Sequence, residues 1–560
     1  MSGRRARPIT DVRARAAPPL ERVSPGAPGQ VDAGSPARVI VPHARRPHAS
    51  ETGPPAAGPG AAGARPFLPP AVRRTAAVLV PALVAFLLGL YRLDRGDSMW
   101  RDESVTYQVA HRSTGQLRDL LGNIDAVHGL YYVLMHEWFA LWDGGLTALR
   151  LPSVLATALA AAGVAATVLR YAGPRTSLLS GLAYTLVPIT QQYAQEGRSY
   201  ALVSAAVAWC TYFFARAAAG RGGRGAWVAY GLLGLIACWL HEFAFLALLA
   251  HGVTLVWGGA RRAVRRSWAL VAGLVLLGVT PLAVVSLGQS DAQIGWLGRP
   301  CPLDWLIFLA VAVLGVLAAR TALAAWPVRA RLRQGRGQDA GARLVALGLP
   351  LLVLPSGLLM VASLAHPWYV DRYCLYTFQG LGLLAGAATV RAYEGLRRRG
   401  TALRVLCVTG AAAAACAVLL PWYALSRAPE SRKDDVLAVA DAVRELSRPG
   451  DAVLFMPGRR REWGMSGKGA YAGLRDLALK ESPVASRTLQ GTELPARTIR
   501  ERVARAPRVL ALRDLPDQPL DTTPTERAKR AALRHGFVAC RTIEVTGARV
   551  TLFARPGGCG

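Results

Sequence analysis

Two adjacent acids, Asp102 and Glu103, follow Trp100 and Arg101 a short step beyond the chain's first long apolar run, 78–91. A carboxylate held there could accept a proton from a hydroxyl or help hold a cation. The same stretch, 92–146, also carries Asp125, His128, Tyr131, Tyr132, His136 and Glu137. Asp125 and His128 stand three residues apart, so a helix would bring both to one face, where they could share a divalent ion or orient a hydroxyl. Later segments between apolar runs hold Glu196, Arg198 and Tyr200, then His241 and Glu242, then Arg372 and Tyr373. Each of these two arginines is the only one in its short segment, and a guanidinium's forked donors suit a phosphate or carboxylate.

Every one of these residues also has a plainer reading. Asp102 could be the N-cap of a helix starting at Glu103, worth about 1 kcal/mol. Arg198 could pair with Glu196, and Arg372 with Asp371 or a lipid headgroup. Tyr200 and Tyr373 could be interfacial aromatics, and His128 and His241 satisfied polar residues of the interface. Neighbours on a helix point about 100° apart, so Glu103 cannot aim where Asp102 does and would instead orient a second group or hold a cation. No Cys or His spacing matches a zinc module, and no metal is assigned, although two carboxylates and a histidine would accommodate a divalent cation.

The elements that must position these groups are set by composition. The chain has 560 residues, of which 52% are hydrophobic, and a formal charge of +31. Repeated apolar stretches are each long enough to cross a bilayer as a helix. Spans are expected at 75–91, 147–170, 176–190, 200–218, 226–241, 243–260, 268–288, 304–326, 344–364, 375–392 and 403–425. The predicted fold is therefore an α-helical polytopic membrane protein of about eleven crossings. The basic excess does not point to nucleic acid, because it is sorted by loop. Arg170 and Arg175, then Arg216, Arg221 and Arg224, then Arg261, Arg262, Arg265 and Arg266, then the stretches 320–343 and 391–404 fall in alternate loops. That asymmetry puts them in the cytoplasm and the acids and histidines outside, in a cytoplasmic membrane.

Residues 1–73 are rich in Pro, Ala, Gly and Arg and are expected to be a disordered cytoplasmic tail. With no clear cleavage site after it, the first span is expected to remain as an anchor with its N-terminus inside. Residues 74–426 then form the membrane domain. Segments 104–121 and 130–142 in the first outward loop are amphipathic and are expected to lie along the membrane surface. From 427 to 560 the texture becomes that of a small extracytoplasmic α/β domain: a helical pattern at 434–446, strand-like runs at 452–456 and 509–512, and a terminal hairpin, 537–545 with 549–554. Cys540 and Cys559 sit where an oxidising compartment would allow a disulfide, and the sequence leaves open whether they bond. The Gly/Arg-rich 220–225 lacks the ending of a phosphate-binding loop, and no nucleotide fingerprint occurs elsewhere.

One pattern resembles a known family. The Asp102-Glu103 pair after the first span is followed by Asp125-Ala-Val-His128-Gly-Leu-Tyr131-Tyr132, Leu149-Arg150-Leu-Pro152-Ser153, Tyr193-Ala-Gln195-Glu196-Gly-Arg198-Ser-Tyr200 and Trp368-Tyr369-Val-Asp371-Arg372-Tyr373. In order and topology this resembles the GT-C superfamily of membrane glycosyltransferases over about residues 88–381. The nearest in pattern are the protein O-mannosyltransferases, the lipid A aminoarabinose transferases and actinobacterial mannosyltransferase-like members. The chain departs from them at Val127-His128-Gly129-Leu130-Tyr131, where others often read His-Pro-Pro-Leu-Tyr. It departs again at Gly197-Arg198-Ser199-Tyr200, where Ala-Arg-Pro-Tyr is common. The resemblance implies transfer of a sugar, a hexose such as mannose or a pentose such as arabinose, from a polyprenyl phosphate to an acceptor outside the membrane. The acceptor would be a glycan, a lipid or a protein. It also implies that Asp102 is the general base, with inversion at the anomeric carbon. The competing class is a lipid or glycolipid flippase, which would place ionisable groups at mid-bilayer. A noncatalytic envelope scaffold is a third.

Overall fold

The computed structural model describes residues 69–294, 298–323 and 340–560. The expected tail lies outside the described residues up to residue 68, as does 324–339 of the Arg-rich stretch 320–343. Among the described residues, eight helices are long and apolar enough to cross a membrane: Pro70–Leu90, Gly145–Leu169, Tyr200–Ala218, Gly223–Leu240, Arg262–Ser290, Pro302–Ala322, Ala340–Ala362 and Thr401–Ser426. Leu79, Leu83 and Leu87, Leu270, Leu274 and Leu277, and Val405 and Leu406 are all exposed along them. In water such stripes would drive aggregation, and on a multi-pass membrane protein they are the lipid face.

Three expected spans fall on weaker helices. At 176–190 the chain forms Pro174–Thr185 and then Pro188–Tyr193, because Pro188 forces the residue before it out of helical backbone. The first piece has 12 residues and reaches only about 18 Å. At 243–260 stands the 13-residue helix Phe245–Trp257. At 375–392 stands Phe378–Arg397, made more polar by Arg391, Glu394 and Arg397. The break at His241 falls where the spacing predicts, with Gly223–Leu240 ending there and a 3-10 turn, Glu242–Ala244, following.

Small residues bring the inner helices to backbone contact. A Cβ at Gly380 would collide with the Gly348 carbonyl, so Ala340–Ala362 and Phe378–Arg397 tolerate nothing larger there. Arg170, Arg221, Arg261 and Arg343 surround one cavity of about 600 Å³. Arg343 and Arg372 are separated by the helix Ala340–Ala362, roughly 35 Å long. Arg-rich loops thus share one end of the bundle, and the segment bearing Arg372 lies at the other.

The amphipathic stretches of the first loop are the helices Arg101–Ala110, Thr114–Leu121 and Gly129–Leu141. Ser113 ends the first stretch early by starting a new helix, its hydroxyl accepting from the Gln116 amide while the Gln116 side chain returns to the Ser113 amide.

Residues beyond 430 fold into a three-layer α/β unit. Its strands are β1 (Ala452–Met456), β2 (Arg475–Asp476), β3 (Leu479–Glu481), β4 (Thr492–Glu493), β5 (Arg508–Arg513), β6 (Val538–Val545) and β7 (Ala548–Ala554). The main sheet runs β2-β1-β5-β7-β6, with β1 parallel to β2 and β5 and the β6–β7 hairpin antiparallel at one edge. Every residue of β1 is buried because both faces are covered, which is why the strand reads as an unbroken apolar run. Val453 and Phe455 pack with Val439 and Val443 of the helix Val436–Leu446, while Leu454 and Met456 pack with Ile499, Val503 and Leu533 of the helices Ala496–Arg505 and Pro524–Gly536. Cys540 and Cys559 are bonded, pinning the C-terminal segment to β6.

This unit is stitched to the first loop. Val436 N donates to Met99 O at 2.7 Å, Ser104 and Ser466 share a hydroxyl hydrogen bond of 2.6 Å, and Arg112 donates to Thr488 O at 2.8 Å. Residues 67–560 make one compact unit.

Candidate active site

The helix Arg101–Ala110 positions both acids, and they go to opposite fates. Glu103 is fully buried. Arg150 grips it with two bonds, Nε to Oε1 at 2.7 Å and Nη2 to Oε2 at 2.8 Å, Arg95 pairs with it from the other side, and the Gly197 amide donates to Oε1 at 3.1 Å. Burial alone would raise its pKa, but the Arg150 and Arg95 guanidiniums outweigh that and hold it at about 2. The expectation that Glu103 orients an acceptor or holds a cation is therefore corrected. Its oxygens are consumed in fastening the 92–98 segment, the helix Gly145–Leu169 and Gly197 to one another. Arg150 completes this by donating to Leu93 O at 2.7 Å and Asp94 O at 2.9 Å.

Asp102 remains partly open, with a side chain 17% exposed. The helix begins at Arg101 after Trp100, which caps it with no side-chain bond, so the reading of Asp102 as the N-cap is overturned. The cap comes from the C-terminal unit. Asp434 Oδ1 accepts from the Arg101 amide at 2.8 Å, and its other oxygen lies 3.7 Å from Arg101 Nε. Asp102 is left facing Arg372, with Nη2 to Oδ2 at 3.3 Å.

Arg372 is set by the turn Asp371–Thr377, in which Asp371 accepts from the Arg372 backbone amide at 2.7 Å. The alternative side-chain pair with Asp371 is not the one that forms. The guanidinium donates from Nε to Tyr200 OH at 3.2 Å and rests over the rings of Trp100, Tyr200 and Tyr373, at 5.6, 5.8 and 5.9 Å. Arg198 is also turned away from the partner considered for it. A tight turn, Arg198 N to Glu196 O at 2.7 Å, splays the two side chains. Arg198 Nη1 reaches Tyr132 OH at 3.0 Å and Thr106 at 3.4 Å, and Tyr132 OH donates to the Asp125 carboxylate. Glu196 instead lies 3.6 Å from Arg432, and burial, opposed by Arg432 and Arg372, pushes its carboxyl up to about 7.

Asp125 adopts left-handed backbone, φ 65°, immediately before the 3-10 turn Ala126–His128. Burial raises its pKa against the pull of Arg198. His128 and His241 meet with ring centroids 5.9 Å apart, and His241 packs on Tyr373 at 4.4 Å. Burial, with Arg198 and then Arg372 nearby, pushes His241 down to about 3; burial with Arg198 and His241 lowers His128 as well, so the surroundings favour the neutral form of both rings. Among the described residues, neither Nδ1 has a hydrogen-bond partner, nor does the Arg198 Nε or the Tyr131 hydroxyl. Among the described residues, no group of three His, Cys, Asp or Glu side chains converges as a metal site would require.

Asp102, Asp125, His128, Arg198, Tyr200, His241, Arg372 and Tyr373 thus form one connected cluster, with Tyr131 buried nearby and Glu103 and Glu196 behind it in ion pairs. Sequence reasoning missed Arg95, Arg150, Tyr132, Arg432 and Asp434 as its supports. Arg150 and Asp434 carried a usable signal, being charged residues at the start of an apolar helix and of the C-terminal α/β unit. Tyr132 had none.

Residues 130–285 match the family model described as Dolichyl-phosphate-mannose-protein mannosyltransferase. Apo ArnT from Cupriavidus metallidurans is similar in structure, with a TM-score of 0.54 at 13% identity over 85% of this chain and 98% of that one. ArnT from the same organism bound to undecaprenyl phosphate gives a TM-score of 0.50 at 14% identity, with the same coverage. No curated protein matches by sequence. The chain thus shares the fold of ArnT, and within it residues 130–285 match the protein-mannosyltransferase family model.

Proposed function

We propose that the protein transfers a sugar from a polyprenyl-phosphate donor to an acceptor hydroxyl outside the cytoplasmic membrane, with inversion and with Asp102 as general base. The observation that carries this reading is the Asp102–Arg372 pair: one carboxylate and one guanidinium, 3.3 Å apart, at the partly open edge of an otherwise buried cluster. As the acceptor oxygen attacks the anomeric carbon, its proton passes to Asp102. The bond from that carbon to the phosphate oxygen breaks, and the electron pair leaves with the phosphate. Arg372 and Arg198 receive that charge through forked donors. A sugar phosphate is already a good leaving group, so no strong general acid is needed, and a single displacement forms no covalent enzyme intermediate. The neutral imidazoles of His128 and His241, with Tyr200 and Tyr373, line the space where the sugar hydroxyls would sit. The resident likeness to ArnT and the family match at 130–285 support the class of reaction, and the sugar is a hexose such as mannose or a pentose such as arabinose.

On this reading the membrane domain, 74–426, crosses about eleven times with its N-terminus in the cytoplasm, and 427–560 is extracytoplasmic. The test is transfer of label from polyprenyl-phosphate sugar in membranes carrying the protein. Asp102→Asn, which keeps a hydrogen-bond partner for Arg372 but cannot take a proton, should lower the rate by about a hundredfold or more. Near-normal transfer by that variant would end the base assignment, and movement of intact donor across the bilayer without product would favour the flippase.

A further inference from the structure

In the C-terminal unit, β1 and β5 lie side by side and parallel, yet the chain leaves them in opposite directions. From β1 it goes to β2 on one flank; from β5 it passes through the helix Pro524–Gly536 to the β6–β7 hairpin on the other. Diverging connections of this kind open a crevice at the carboxyl ends of the strands, which is where sheets of this class bind ligands. A cavity of about 600 Å³ lies there, lined by Pro457 after β1, Arg513 and Asp514 at the end of β5, Arg530 and Arg534 of the helix, and Arg549 of β7.

The charges around it are unbalanced. Its three carboxylates already have partners: Asp514 is held by Arg459 and Arg460, Glu526 by Lys529 and the Gly458 amide, and Asp521 accepts from the Thr523 amide. The four arginines form no ion pair among the described residues. Arg549 stands directly opposite Arg513 in the β5–β7 register and opposite Glu544 in the β6–β7 register; among the described residues it forms no ion pair with Glu544, and its buried Nε has no hydrogen-bond partner. Burial, with the Arg549 charge beside it, lowers the pKa of Arg513. Like charges directly opposed on a sheet are destabilising, and a dianion between them turns that repulsion into attraction from both sides.

We propose that this crevice binds a small phosphate monoester, with Arg513 and Arg549 on the sheet and Arg530 and Arg534 on the helix gripping the phosphate while Leu520 and Leu533 wall the organic part. The site is separate from the Asp102 cluster, and its test needs no transferase activity. Isothermal titration of the full-length protein in detergent would use glycerol 3-phosphate, inorganic phosphate and glycerol as probes. Glycerol 3-phosphate should bind more tightly than inorganic phosphate, and glycerol not at all. Arg513→Gln and Arg549→Gln should each weaken the ester by about tenfold or more. The unfolding temperature of the ligand-free protein should not fall, since each change removes one of two opposed charges. Arg530→Gln repeats the test from the opposite wall without touching the sheet. Failure of either phosphate probe to bind, binding untouched by all three substitutions, or an ester no tighter than bare phosphate would each overturn the proposal.

Discussion

Asp102 and Glu103 share a charge and a helix, and burial divides their work. Glu103→Gln would leave Arg95 and Arg150 buried around a neutral amide, so it should cost about 3–5 kcal/mol in stability, read as a fall in the detergent-solubilised unfolding temperature. Asp102→Asn should leave that temperature nearly unchanged, since its side chain is partly solvated. Glu196 gives the pH signature. Its folded pKa of about 7 exceeds the ordinary carboxyl value of 4.5, so between those values the folded protein binds more protons than the unfolded chain. Stability from this group therefore falls as pH rises through that window. The buried histidines pull the other way, because their folded pKa values are lowered. The difference between wild type and Glu196→Gln, rather than either curve alone, should decline from pH 5 to 7; a flat difference would count against a protonated Glu196.

The helix Arg101–Ala110 is held from outside itself. Its N-terminal amide is satisfied by Asp434, 333 positions along the chain, and Met99 just before it is held by Asp435 Oδ1 at 3.3 Å. The C-terminal unit therefore fixes the direction in which Asp102 points. Asp434→Ala should cost about 1 kcal/mol and lower kcat more than KM, because the base is misaimed while the rest of the pocket survives. Asp434→Asn, which caps about as well, should restore most of the rate. Equal losses in the two variants would show that the charge beside Arg101, and not the cap, is what matters. The sequence showed a helix near this place but not its first residue, because the capping group belongs to another part of the chain.

Across the whole molecule, the arrangement of charge supports the proposed orientation. Arg170, Arg221, Arg261 and Arg343 collect around one cavity, and a full helix length separates Arg343 from Arg372. Single cysteines placed at Arg221 and Arg261 should react with a membrane-impermeant maleimide only after the membrane is opened, whereas one at Arg487 should react in intact cells. These placements, read in a background lacking the exposed native Cys301, Cys407 and Cys416, check the proposed orientation; the reverse pattern would exclude it.

Composition and periodicity by themselves determined that this chain lives in a membrane, that its basic loops alternate, and that strand-like runs at 452–456 and at 537–545 with 549–554 follow the last apolar helix. These are local properties, fixed by transfer of side chains from water and by backbone pattern. The ordered motifs also marked Asp102, His128, Arg198 and Arg372, and the break between two apolar runs marked His241. Only the tertiary structure decided which of two adjacent acids stays open, that Arg198 turns from Glu196 to Tyr132, and that Asp434 caps the helix of Asp102. A charged side chain's role depends on how much water it keeps and which opposite charge reaches it, and both are set by segments that lie tens to hundreds of residues away.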